Sequence, residues 1–137
     1  MTVKQIPVSS PRTDSQTRKP SAGKVLVVDD NPAVAGGLSM LLEVLGWQVS
    51  TATTGVEALE MIRSRRPDLV LLDISLPVMD GYEIARRLRT EHGDRVPLLV
   101  ALSGKEPESA DHGFDSYLIK PIDMNRLQTL LALATVS

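Results

Sequence analysis

The stretch that decides the fold is Leu69-Val70-Leu71-Leu72-Asp73, which is followed by Ile74-Ser75-Leu76-Pro77-Val78-Met79-Asp80-Gly81. Turn-forming residues lie on both sides of the apolar run. Such a run predicts a strand that is buried on both faces, as in a parallel sheet covered by helices. Ligands of these sheets bind just beyond the carboxyl ends of the strands. Because an ionised carboxylate is costly to bury without a partner, we expect polar side chains from other strand ends around Asp73.

Strands and helices alternate along the rest of the chain. Further short strands are predicted at 24–28, 48–52, 96–102 and 116–119. Helical spacing of apolar residues follows all but the fourth of the five strands, and Thr54 with Glu57 forms a capping-box signal. This order predicts right-handed crossovers and an α/β fold with a parallel sheet.

Length and composition limit the possible functions. The chain has 137 residues, enough for one domain, with 15 basic and 17 acidic residues and no cysteine. Because there is no basic excess, no membrane-spanning apolar run and no secretion signal, we expect a cytoplasmic protein with no nucleic-acid or membrane partner. Residues 1–22 are rich in Ser, Thr, Pro, Lys and Arg and are expected to form a flexible tail or linker before a domain over 23–137.

Polar side chains follow the predicted strands where each strand ends. Asp29 and Asp30 follow the first strand, Asp73 ends the third, Ser103 follows the fourth and Lys120 follows the fifth. If the strands lie side by side, three carboxylates meet in one pocket and favour a hard cation with oxygen ligands, for which Mg²⁺ is suited. A metal, a lysine and a hydroxyl around one central carboxylate would stabilise phosphoryl transfer onto Asp73.

The ordered set of motifs resembles the receiver domain of two-component response regulators. The resemblance covers residues 23–137 and rests on the motifs Val27 to Asn31, Leu71 to Gly81, Leu102 to Gly104 and Tyr117 to Pro121. The amino-acid sequence from Asp29 to Leu42 is most similar to that of receivers found at the ends of hybrid sensor kinases. The fold that the resemblance implies is the flavodoxin-like, doubly wound, five-stranded parallel sheet.

The resemblance also implies a function and roles for individual residues. Asp73 would accept a phosphoryl group from a phosphohistidine on a sensor histidine kinase or a histidine phosphotransfer protein. Asp30, Asp73 and the backbone carbonyl of Ser75 would bind Mg²⁺ directly, with Asp29 acting through a metal-bound water. Such a domain assists its own phosphorylation and dephosphorylation and is not an enzyme in the usual sense; it would signal to a downstream protein target or pass the phosphoryl group on.

Three more positions complete the implied switch. Ser103 would bind a phosphoryl oxygen and shift inward on activation, Lys120 would pair with the phosphoryl group, and Tyr117 would be the aromatic switch residue. The segment 104–112 departs from the family pattern, since it is too short for the usual fourth helix and contains Pro107. We therefore expect that helix to be one or two turns long at most, or absent.

Two other functions remain open at this point. The chain could be an interaction module that keeps the fold without phosphorylation. It could also be a phosphatase of the haloacid-dehalogenase type, but that chemistry needs a second Asp where this chain has Ser75. His92 and His112 are expected in polar loops, without the spacing of metal ligands. Whether the chain is a whole protein or a piece of a hybrid kinase is left open.

Overall fold

The computed structural model describes residues 23–105 and 113–135, which contain five strands and four α-helices. The strands are β1 (Gly23–Val28), β2 (Trp47–Ala52), β3 (Leu69–Asp73), β4 (Leu98–Ser103) and β5 (Ser116–Ile119). The helices are α1 (Pro32–Val44), α2 (Gly55–Arg65), α3 (Gly81–His92) and α4 (Met124–Thr135), and a short 3-10 helix spans Gly93–Arg95. The expected tail at 1–22 lies outside the described residues.

All five strands pair in parallel in one sheet, in the order β2-β1-β3-β4-β5. The central strand β3 is buried along its whole length. Its neighbours on both sides are parallel strands, so its side chains meet helices on both faces of the sheet rather than solvent. The predicted doubly wound, flavodoxin-like fold is confirmed.

Alternate residues of each strand supply two separate cores. One core joins the β1 and β3 residues Leu26 and Leu72 to apolar side chains of α2 and α3, including Ile62 and Leu88. The other core, on the opposite face, packs the remaining strand residues against α1 and α4. Both cores are mainly aliphatic, since aromatic residues make up only 3% of the chain. Trp47, at the start of β2, is buried in the second core.

Side-chain caps set the helix starts, although one cap differs from the expected pattern. The Glu57 amide donates to Thr54 Oγ1 at 3.1 Å, as a capping box requires. The Glu57 carboxylate does not return to Thr54, however; it accepts from the Thr53 amide at 2.9 Å. Thr54 therefore caps α2 as predicted, but the amide that donates to the Glu57 carboxylate belongs to Thr53, one residue before the cap.

Two expectations about connecting segments have different outcomes. His92 was expected in a polar loop, but it is the last residue of α3 and is partly buried, so that expectation is wrong. Gly104 and Lys105 form a bend after β4, and residues 106–112 lie outside the described part of the chain. Within the described residues no helix lies between β4 and β5, and the expectation of a shortened fourth helix falls largely on the residues left undescribed.

Candidate functional site

Strand register brings the predicted polar residues to one edge of the sheet. Val28 of β1 is level with Leu72 of β3, and Asp73 is level with Leu102 of β4. Ser103 is level with Ile119 of β5, the residue before Lys120. The residues that follow or end these four elements therefore lie at the carboxyl edge, which is where doubly wound sheets bind ligands.

Three carboxylates form an acidic cluster at this edge, made of Asp29, Asp30 and Asp73. One oxygen from each of the three lies within 4.8 Å of the other two. Asp29 and Asp73 are 1% and 4% exposed, whereas Asp30 is exposed. Two buried anions at this separation repel each other, so a nearby cation stabilises the cluster.

Local turns fix one oxygen of each buried carboxylate. Asp29 Oδ1 accepts a hydrogen bond from the Asn31 amide at 2.9 Å. Asp73 Oδ1 accepts from the Ser75 amide at 2.9 Å and from the Ser75 hydroxyl at 2.7 Å. Side chains of Asp commonly bond to the amide two residues later in this way. The turns therefore orient both carboxylates before any ligand arrives.

Lys120 faces the other oxygen of each buried carboxylate. Its Nζ atom lies 3.4 Å from Asp73 Oδ2 and 3.5 Å from Asp29 Oδ2. The Lys120 amide donates to the Ser103 carbonyl at 2.8 Å, which ties the end of β5 to the end of β4. One ammonium group thus serves two carboxylates and leaves the cluster with a net negative charge.

The chemistry of the donor set fits a divalent cation. Asp29 Oδ2 is buried and has no hydrogen-bond partner among the described residues, although the Lys120 ammonium is nearby. A buried anionic oxygen without a hydrogen bond is costly, and a bound cation would remove that cost. Three carboxylate oxygens with one of them open to solvent suit Mg²⁺, which binds through few protein ligands and keeps several waters.

Ser103 and Tyr117 lie near this edge but contact other residues. The Ser103 hydroxyl donates to the Lys105 carbonyl at 2.5 Å and accepts from the Lys105 amide at 3.2 Å. Tyr117 is half-buried on β5, with the Arg126 guanidinium 5.4 Å from the centre of its ring. Arg126 Nε also donates to the Tyr117 carbonyl at 3.1 Å. Both side chains are therefore held by neighbours outside the acidic cluster.

The loop from Asp73 to α3 is shaped by close packing and by one strained residue. A Cβ atom on Gly81 would lie 2.7 Å from the Ile74 Cα, so only glycine allows the loop to close against the end of β3. Val78 has a φ of 70° and a fully exposed side chain. A β-branched residue in the left-handed region is strained.

Sequence reasoning missed two contacts at the site. The first is the Ser75 hydroxyl on Asp73, since only the backbone carbonyl of Ser75 was considered. The Asp-x-Ser spacing is a signal for this turn and could have indicated it. The second is the pair of hydrogen bonds between Ser103 and Lys105, which depends on the bend after β4 and has no clear sequence signal.

Comparison with protein families and curated proteins identifies relatives. The family model for the response regulator receiver domain matches residues 25–132. The response regulator MprA of Mycobacterium ulcerans (strain Agy99) is 44% identical over 109 residues, which are 76% of this chain and 46% of MprA. MprA of Mycobacterium avium (strain 104) is 43% identical over the same length. The chain spans about half the length of these curated relatives.

Solved structures give the same relationship. The chemotaxis response regulator CheY4 of Vibrio cholerae has a TM-score of 0.72 at 29% identity, over 81% of this chain and 97% of CheY4. The receiver domain of the sensor histidine kinase PA1611 from Pseudomonas aeruginosa PAO1 has a TM-score of 0.74 at 32% identity, over 84% of this chain and 98% of that one. That domain is described with a magnesium ion coordinated in its active site cleft.

In the described residues no helix has the length and apolar character to cross a bilayer. The chain belongs to the response regulator receiver domain family of two-component signalling.

Proposed function

We propose that Asp73 is the phosphoacceptor of this receiver domain and takes the phosphoryl group from a phosphohistidine. The observation that supports this most strongly is the cluster around its carboxylate: two further aspartates within 4.8 Å and the Lys120 ammonium at 3.4 Å. A carboxylate that is oriented by Ser75 and faces a lysine has the surroundings of an activated nucleophile. Lys120 would move from pairing two carboxylates to pairing the added phosphoryl oxygens.

The proposed transfer depends on Mg²⁺, and its reacting atoms come from the phosphohistidine donor and from Asp73. An oxygen of Asp73 attacks phosphorus, the oxygen–phosphorus bond forms, and the phosphorus–nitrogen bond of phosphohistidine breaks. The imidazole nitrogen keeps the bonding electron pair, so the donor histidine is restored and the acceptor becomes an aspartyl phosphate. The chain thus accepts a group and does not turn over an external ester, which is why we propose a phosphoacceptor domain and not an enzyme.

Asp30, Asp73 and the backbone carbonyl of Ser75 are the direct Mg²⁺ ligands in this proposal, with Asp29 acting through a bound water. Bound Mg²⁺ would neutralise the charge that develops on the transferred oxygens. Asp29 and Asp73 are held by amides, so their positions are set before the ion binds. Asp30 is exposed and is free to adjust to the ion.

Ser103 and Tyr117 complete the proposal as switch residues. The Ser103 hydroxyl would leave the Lys105 carbonyl and donate to a phosphoryl oxygen. The Tyr117 side chain would then move into the space that Ser103 vacates. The partners that we propose are proteins: a sensor histidine kinase or histidine phosphotransfer protein upstream, and a protein target downstream. Residues 23–137 would form the receiver domain, with 1–22 as its tail or linker.

Intact-mass measurement after reaction with acetyl phosphate and Mg²⁺ tests the proposal. The wild-type chain should gain one phosphoryl group, and Asp73→Asn should gain none because an amide oxygen is a poor nucleophile at this site. Asp68→Asn is a suitable control, since Asp68 precedes the same strand at its other end. An Asp73→Asn chain that still gains the full mass would show that another residue is the acceptor.

A further inference from the structure

A basic pocket lies at the amino end of the sheet, opposite the acidic cluster. Its volume is about 380 Å³, and it lies between the ends of α2 and α3 and the segments that lead into β3 and β4. Four of its lining residues are cationic or can become so: Arg63, Arg66, His92 and Arg95. Its volume falls in the range of small-molecule sites.

One carboxylate, Glu91, balances part of this charge. Arg63 Nε and Nη2 donate to Glu91 Oε2 and Oε1 at 2.5 and 2.7 Å, a two-point pair. This pairing lowers the pKa of Glu91 and raises the pKa of Arg63. Among the side chains that the structure describes, Arg66 and Arg95 have no ion pair. Within the described part of the chain, two guanidinium groups that line the pocket therefore have no carboxylate partner.

His92 adds a second unsatisfied group to the same pocket. Its Nε2 atom is shielded from solvent and has no hydrogen-bond partner within the described residues, although Glu91 Oε2 is 3.4 Å away. Buried polar atoms in native proteins are usually bonded to protein or to an ordered ligand. This ring nitrogen is thus an unsatisfied polar atom in the wall of the pocket, beside the unpaired Arg66 and Arg95.

Favourable interactions between cations and helix carboxyl ends explain the position of only some of these basic residues. Arg63 and His92 lie in the last turns of α2 and α3, where cations are favourable beside exposed carbonyl groups. Arg95 lies in the 3-10 helix beyond α3 and does not cap it. Arg66 follows α2 with a φ of 49°, and its amide donates to the Ile62 carbonyl at 3.1 Å, so its backbone position is fixed.

We propose that this pocket binds a small molecule that carries a phosphate or pyrophosphate group. Guanidinium groups pair with such oxyanions through two hydrogen bonds each, and a multiply charged anion would balance both Arg66 and Arg95. Ile62, Pro67 and Pro97 supply apolar walls around these polar groups. A concave site with apolar walls and a few convergent donors is the usual form of a ligand pocket.

The pocket is separate from the phosphorylation site. Pro67 precedes β3, whereas Asp73 ends it, so the two sites are roughly 20 Å apart at the rise of a parallel strand. The acidic cluster repels an oxyanion in the absence of Mg²⁺, and Lys120 is already paired there. Binding at the pocket can therefore be measured without contribution from the site at Asp73, and its failure leaves the proposed phosphorylation untouched.

Calorimetric titration of the full chain with inorganic pyrophosphate, in EDTA and at physiological salt, tests the proposal. We expect saturable binding of one molecule per chain. The double variant Arg66→Gln, Arg95→Gln should weaken it at least about tenfold, since two charge-assisted contacts are lost. Arg86→Gln is the matched control, because Arg86 pairs with Glu83 on α3 and does not line the pocket. It should bind as the wild type does.

Backbone NMR spectra locate the binding and decide between the outcomes. Pyrophosphate should shift the amides of 62–66 and 91–96 and leave those of 29–31 and 73–75 in place. The proposal is overturned by an absence of saturable binding, by equal weakening in Arg86→Gln, or by shifts confined to the Asp73 end. Binding of an acidic peptide without binding of pyrophosphate would also overturn it, in favour of a protein partner.

Discussion

The two ends of the parallel sheet carry opposite charges and hold them in different ways. At the carboxyl end, buried carboxylates are fixed by backbone amides within two residues and share one lysine. At the amino end the arginines are exposed, and Arg63 is held by an ion pair between two long side chains. Its partner is Glu91, and the two side chains are 49% and 37% exposed.

The two ends of the sheet therefore differ in how firmly they fix the positions of their charged groups. Short turns at the carboxyl end fix oxygen positions before a ligand binds, as phosphoryl transfer requires. Flexible side chains at the amino end supply charge without a fixed arrangement, and solvent screens their interactions. Substitutions at the carboxyl end should therefore have larger effects than matched substitutions at the amino end.

The largest effect is expected from Lys120→Ala. This change leaves Asp29 and Asp73 as neighbouring buried anions, and we expect a loss of about 2 kcal/mol in unfolding free energy, less than for a fully buried pair because the lysine is partly exposed. Urea unfolding in EDTA measures the loss, and excess Mg²⁺ should restore part of it. Lys24→Ala, at the amino end, should change stability by about 0.5 kcal/mol or less. Equal losses of unfolding free energy in Lys120→Ala and Lys24→Ala would contradict the expected difference between the two ends of the sheet.

The next effect concerns metal affinity. Asp30→Asn removes one charge from the cluster without disturbing a buried contact, so we expect Mg²⁺ binding to weaken about tenfold while stability in EDTA is unchanged. Calorimetric titration with Mg²⁺ measures the affinity. Glu43→Gln, an exposed change on α1, provides the control. Unchanged affinity in the Asp30 variant would remove this residue from the set of ligands.

A smaller and opposite effect is expected at Val78. Glycine adopts the observed φ without strain, so Val78→Gly should raise the unfolding free energy by about 1 kcal/mol despite its greater freedom in the unfolded chain. Thermal and urea unfolding test this. Val78→Ala keeps a Cβ atom and should give a smaller gain. A loss of stability in the glycine variant would mean that the loop between β3 and α3 does not store strain.

The smallest effect is expected at Glu91 and depends on pH. Arg63 lowers the pKa of Glu91 below its ordinary value of 4.5, so the pair stabilises the fold above that value and the contribution disappears as pH falls through the folded-state pKa. Glu91→Gln should be slightly less stable than the wild type at pH 7, and this deficit should shrink as the pH is lowered from 7 to 3. Unfolding at both pH values measures this, with Glu43→Gln as control. A deficit of the same size at both pH values would have a cause other than the ion pair.

Sequence reasoning worked best where one signal dominated. The apolar run at 69–72 predicted the central strand, and β5 was predicted with its observed bounds. The polar residues at the strand ends were assigned to one edge because parallel strands bring their carboxyl ends together. Their roles in catalysis and metal binding stay predictions until Asp73 and Asp30 are substituted.

Features that depend on several segments could not be predicted in this way. The amino-end pocket combines the end of α2, the end of α3 and the segments before β3 and β4, which are distant in sequence. His92 was misplaced because its polar neighbours resemble a loop, although the α3 pattern extends to it. The positive φ of Val78 could not be predicted, because valine itself favours extended backbone.

The position of Trp47 determines what optical signal the protein provides. It is the only tryptophan, it is 5% exposed, and it lies at the start of the edge strand β2, away from the acidic cluster. Its emission should therefore be blue-shifted and poorly accessible to soluble quenchers in the folded chain, and should move to longer wavelength on unfolding. Phosphorylation and Mg²⁺ binding should leave its spectrum nearly constant, so tryptophan fluorescence follows the integrity of the sheet independently of its signalling state.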